Sequence, residues 1–118
     1  MHTQVSAAMD AHNNWKARLV DAIESGKIDG TVDGIRVDDN CLFGHWLYGA
    51  ELTEEMKSSE NYLEVKRVHA EFHHQAARIA ELALQGDKEV AFGLLHGPEY
   101  TNAAMKLTNA LYYLDKLL

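Results

Sequence analysis

The sequence predicts an all-α protein, an antiparallel four-helix bundle with a short extra helix on the first crossover. Three observations carry that expectation. Apolar residues recur at spacings of three and four along three long stretches. Gly26, Gly30 and Gly34 crowd one polar stretch, and the single proline, Pro98, follows Gly97 at a second break. The one extended candidate, Val32, Ile35 and Val37, is too short to build a sheet.

Along the chain, Val5, Met9, His12, Trp15, Leu19 and Ile23 stripe a helix over about 3 to 25. The segment GKIDGTVDGIRVDDN follows as a polar loop. Cys41 to Tyr48 reads as the short helix, with Asp39 or Asn40 placed to cap it. Tyr62, Val65, His69, Phe72 or His73, Ala76, Ile79 and Ala83 stripe a helix over about 60 to 85, and Gly86 sits where it would end. Asp87 can cap a further segment, EVAFGLL, and Pro98 suits the first turn of the last helix. Tyr100, Ala103, Ala104, Leu107, Leu111, Leu114 and Leu118 stripe that helix. The alternative is one helix over 88 to 118, kinked near Pro98. No repeat, low-complexity tract or linker divides the 118 residues, so a single domain over 1–118 is expected.

Lys and Arg total 11 against 18 Asp and Glu, a net charge of −7, which argues against nucleic acid and anionic membranes as partners. Apolar residues at 47% suffice for a core and exceed what a disordered chain carries. No stretch approaches the roughly 18 uncharged apolar residues of a membrane span. The start, MHTQVSAAMD, lacks the basic and apolar regions of a signal peptide. One Cys excludes an internal disulfide framework and fits a reducing cytoplasm, the expected location. Seven His in so short a chain is the compositional oddity.

His69 and His73 stand four apart on one helix face and can reach a common ion. Both fall on the apolar stripe, where a lone imidazole is costly to bury. His12 shows the same anomaly between Met9 and Trp15. A core His bonded to a backbone carbonyl is the blander account of His12, and a chance HxxxH in a His-rich chain that of the pair, but two anomalous stripes that can face one another favour a shared metal. Cys41, at the start of a short helix whose free N–H groups favour a thiolate, is a fourth candidate. His45, one turn on, is its rival. Three imidazoles and a thiolate suit Zn²⁺, and four protein ligands leave no open position for a catalytic water. His74 lies about 100° around the helix from His73 and should be solvated. His96 reads as a loop residue and His2 as part of a frayed terminus.

His12-Asn13-Asn14-Trp15, Cys41-Leu42-Phe43-Gly44-His45-Trp46 and His69-Ala70-Glu71-Phe72-His73 together resemble the chemoreceptor zinc-binding family. The elements come in the family order, with 25 residues between Trp15 and Cys41 and 22 between Trp46 and His69. Phe43 stands where the family usually has Leu. The resemblance implies a usually dimeric four-helix bundle with zinc held by His12, Cys41, His69 and His73, and it decides for Cys41 over His45. It implies a regulatory input domain, not an enzyme, serving an output domain such as a bacterial cytosolic chemoreceptor or diguanylate cyclase. The signal would be zinc itself or hypochlorous acid and related oxidants, through the zinc-bound Cys. Asp10, two residues before His12, is a candidate acidic neighbour that would tune the ligands. The chain is then an excised domain or a stand-alone member.

A hemerythrin-like di-iron bundle that binds oxygen is the alternative, but it needs an HxxxE pair and a late His–Asp element, and His45 is followed four on by Gly49 and His96 five on by Thr101. A ferritin-like oxidase wants two Glu-x-x-His pairs, and Glu71–His74 is one. His69 to His73 is not HExxH, which argues against a zinc hydrolase.

Overall fold

Seven helices make up the regular structure of a computed structural model, which describes residues 1–28, 30–37 and 41–118. Helix α1 (Thr3–Ser25) buries Val5, Ala8, His12, Trp15, Leu19, Ala22 and Ile23, the stripe read from the sequence. His2 does not fray but caps this helix, its Nδ1 accepting from the Gln4 amide at 3.1 Å. The helix stops at Gly26, whose φ of 72° a side chain would resist.

The crossover carries three short helices, α2 (Val32–Arg36), α3 (Leu42–Tyr48) and α4 (Glu54–Lys57). Helix α2 replaces the loop with an extended piece that the sequence suggested. Thr31 Oγ1 accepts from the Gly34 amide at 3.0 Å, Arg36 pairs with Asp33 at 2.6 Å, and Ile35 is buried. A cap, an i,i+3 ion pair and one buried side chain outweigh weak local preference. The expected caps of α3, Asp39 and Asn40, lie outside the described residues. Cys41 itself caps α3, its Sγ accepting from the Gly44 amide at 3.3 Å.

Helix α5 (Glu60–Leu84) is the centre of the fold. Ser59 caps it, and Gly86 follows it at φ 80°. Its Ala76, Ala77, Ala80 and Ala83 are fully buried, and such small side chains let neighbouring helices approach closely. Helices α6 (Lys88–Leu95) and α7 (Pro98–Asp115) are separate, with Pro98 at the first position of α7. Asp87 holds the cap position of α6 but makes no side-chain cap bond.

Helix directions follow from contacts at the ends. The His2 amide donates to Asp115 Oδ1 at 2.7 Å, Asn61 Nδ2 donates to the Tyr113 carbonyl at 3.4 Å, and Lys88 Nζ donates to the Glu24 carbonyl at 3.2 Å. Helices α1 and α5 therefore run parallel, joined by the long crossover, and α7 runs antiparallel to both. The helical bundle is as expected. One pair departs from the antiparallel scheme, and α6, at eight residues, makes the fourth wall short. Among the described residues no helix is long and apolar enough to cross a membrane.

Candidate metal centre

The parallel alignment of α1 and α5 sets the centre, because it brings His12 level with His69 and His73. His12, His69 and His73 are buried, Cys41 is half-buried, and one ligand atom from each lies within 4.8 Å of the others. His69 Nε2 stands 3.2 Å from His12 Nε2, 3.1 Å from His73 Nε2 and 3.4 Å from Cys41 Sγ.

Two backbone carbonyls decide the tautomers. His12 Nδ1 lies 2.6 Å from the Ala8 carbonyl and His73 Nδ1 lies 2.9 Å from the Ile35 carbonyl. A carbonyl only accepts, so each Nδ1 carries the hydrogen and each Nε2 turns a lone pair to the centre. One nitrogen on His69 then meets two lone pairs and a sulfur. It carries at most one hydrogen, so it satisfies at most one of the three contacts as a hydrogen bond.

A cation satisfies all of them. Tetrahedral zinc, with Zn–N of about 2.0–2.1 Å and Zn–S of about 2.3 Å, spaces its ligand atoms about 3.3–3.6 Å apart. The observed 3.1–3.4 Å falls within a few tenths of that spacing. The three-imidazole, one-thiolate set can hold a metal ion.

Electrostatics agree. Burial holds His12 down to about 4, against the pull of the Ala8 carbonyl, with His73 adding to the depression. Burial, then His73 and His12, holds His69 down to about 2. Both imidazoles are neutral at pH 7, the form that binds metal. An unfolded chain takes up these protons near pH 6.5, whereas the folded one resists until much lower. In chelator-treated protein the melting midpoint should be level above about pH 6.5 and fall steadily between there and pH 4. A midpoint that rose on acidification would contradict neutral burial.

Aromatic rings wall the site. Phe43 meets the His69 ring edge-on at 5.1 Å and the His12 ring at 6.1 Å. Phe72 lies 5.2 Å from His12, 5.9 Å from His73 and 5.6 Å from Tyr100, linking the centre to α7. The Phe43 substitution thus supplies a wall and leaves the ligand atoms alone. The far end of α3 is anchored: Trp46 and Leu47 are buried, Tyr62 donates to the Leu47 carbonyl at 2.9 Å, and Trp46 Nε1 donates to Glu51.

His45, His74 and His96 are exposed, and none of them joins the cluster. His96 instead stacks on Phe92, centroids 6.3 Å apart. Asp10 is exposed, about 200° around α1 from His12, and among the described residues its carboxylate makes no bond to the cluster. The backbone-carbonyl bond that the sequence set against a shared metal is present beside the cluster, and only the identity of the acceptors, Ala8 and Ile35, left no signature in residue type.

A helical bundle that gathers three imidazoles and one cysteine sulfur at one point is the architecture of a metal-binding protein. The sequence matches the chemoreceptor zinc-binding domain over residues 12–80, more than half of the chain. The chain belongs to that family, a zinc-binding regulatory domain. Comparison with curated proteins and with solved structures finds no match.

Proposed function

We propose that residues 1–118 form one regulatory input domain in which His12, Cys41, His69 and His73 hold a single zinc and Cys41 is the oxidant-sensitive ligand. The observation that carries this reading is the double duty of one sulfur. Cys41 Sγ faces the metal cluster and also caps α3 through the Gly44 amide at 3.3 Å. It is the half-buried member of an otherwise buried set. Zinc, when bound, keeps the sulfur as a thiolate and ties α1, α3 and α5 together.

A thiolate attacks the chlorine of hypochlorous acid. The S–Cl bond forms as Cl–O breaks, hydroxide leaves, and water then displaces chloride to give the sulfenic acid. Oxidation thus removes an anionic ligand and a helix cap in one event. The expected consequence falls on the first turn of α3, Cys41 to Gly44, because Trp46, Leu47 and the Tyr62 bond hold the rest. Movement of that turn would be the signal to an output domain. Asp10 makes no contact with the cluster among the described residues, so its proposed part is limited to its charge.

Brief hypochlorous acid treatment, followed by intact-mass and zinc measurement, tests the reading. One added oxygen on Cys41 with loss of zinc, before the methionines oxidise, is expected. Oxidised methionines with Cys41 intact and zinc retained would overturn it. The same reading includes a homodimer built on the C-terminal segment, where Tyr112 and Tyr113 of α7 are 53% and 58% exposed and Leu117, just past the helix, is 47% exposed. A dimer mass in light scattering is expected, and a strict monomer at high concentration would refute it.

A further inference from the structure

Two surface clefts reach Cys41, and the same two side chains border both. One cleft, about 220 Å³, lies between α1 and the start of α3 and is lined by Ala8, His12, Cys41 and Phe43 together with Trp15 and Arg18. The other, about 360 Å³, lies between α1 and α2 and is lined by Thr31, Ile35, Cys41 and His73, again with Trp15 and Arg18. The guanidinium carbon of Arg18 sits 3.8 Å from the centroid of the Trp15 ring. Stacking on an indole holds a guanidinium in place while leaving its N–H edge available. Arg18 is exposed, and among the described residues no carboxylate forms an ion pair with it.

We infer that Arg18, held on Trp15 where the two clefts meet the surface, selects small anionic reagents for Cys41 over neutral and cationic ones. The chain as a whole carries −7 and repels anions. A fixed cation beside the approach to the sulfur reverses that field locally, and a cleft with low-dielectric walls focuses it. The same cation disfavours entry of a metal cation by this route, so the approach suits a reagent for the sulfur better than a path for zinc. The inference rests on Cys41 being the reactive ligand of the proposed function, and it adds that anions reach that sulfur fastest, so that of the hypochlorous acid couple the hypochlorite form is the one drawn to the clefts.

Cys41 is the chain's one cysteine, so alkylation reads this site alone. The test compares anionic iodoacetate with neutral iodoacetamide, each displacing iodide as the sulfur–carbon bond forms. Rates are followed by intact mass on zinc-loaded and on chelator-treated protein. Arg18→Gln should slow iodoacetate about three- to tenfold, the low end of electrostatic steering, and leave iodoacetamide within about twofold. Arg18→Lys should recover most of the iodoacetate rate, and high salt should erase the difference between wild type and Arg18→Gln. Equal changes for both reagents would mean that Arg18 only packs the site, and no change for either would mean that it has no part in access. Failure of both reagents in both states would show that the clefts do not reach the sulfur. Each of those three results overturns the inference. A Cys41 that resists hypochlorous acid yet keeps Arg18-dependent selectivity would sink the proposed function and leave this inference standing.

Discussion

His69→Ala should lower zinc affinity at least about a hundredfold, the largest effect of any single replacement at the centre. A structural zinc site contributes about 10–16 kcal/mol, so one ligand of four accounts for about 3 kcal/mol, and each 1.4 kcal/mol is a factor of ten. His69 is also the hub, with its Nε2 3.1–3.4 Å from three other ligand atoms. The stability change should divide by metal state. With zinc, the melting midpoint should fall, because the ion no longer ties α1 and α3 to α5. Without zinc it should fall by less, the cavity left by a fully buried side chain being partly offset by the removal of one of three facing imidazoles. His74→Ala, exposed on the same helix, is the control and should leave both unchanged. Competition with a coloured chelator reads the affinity. Zinc release by His74→Ala and not by His69→Ala would overturn the ligand assignment.

Phe72→Ala should be the most damaging change outside the ligand set. Phe72 is 1% exposed and is among the largest fully buried side chains. Truncating such a residue costs about 3–5 kcal/mol, a third or more of what many small domains have in total. Its ring also fixes His12 and His73 from the side and reaches Tyr100 on α7. Zinc affinity should therefore fall along with the urea midpoint, although no ligand atom is lost. A loss below about 1 kcal/mol would show that the walls are not what holds the imidazoles.

The long helices and the three imidazoles of the cluster were legible in the sequence through periodicity, whereas Cys41 was set above its rival His45 only by the family resemblance. Twenty or more residues of one stripe average out local ambiguity, so the bounds of α1 and α5 agree with expectation within a residue or two. The same stripes exposed His12, His69 and His73 as polar residues in apolar positions. Short elements lack that averaging. Helix α2 has five residues, and its cap and ion pair become visible only once Ile35 is packed. The parallel course of α1 and α5 was hidden too, because a stripe says which face is buried and nothing about direction. Cys41 as the cap of its own helix was missed because carboxylate and amide side chains are the usual capping residues, and Asp39 and Asn40 stood beside it. The Ile35 carbonyl that orients His73 could be seen only in three dimensions.

The central claim is one zinc held by three imidazole nitrogens and one cysteine sulfur. X-ray absorption at the zinc edge on metal-quantified protein tests it most directly. The account predicts one zinc per chain, about three nitrogens near 2.0–2.1 Å and one sulfur near 2.3 Å, with the sulfur shell lost in Cys41→Ser. A zinc shell without sulfur, or two metal ions per chain, would contradict it.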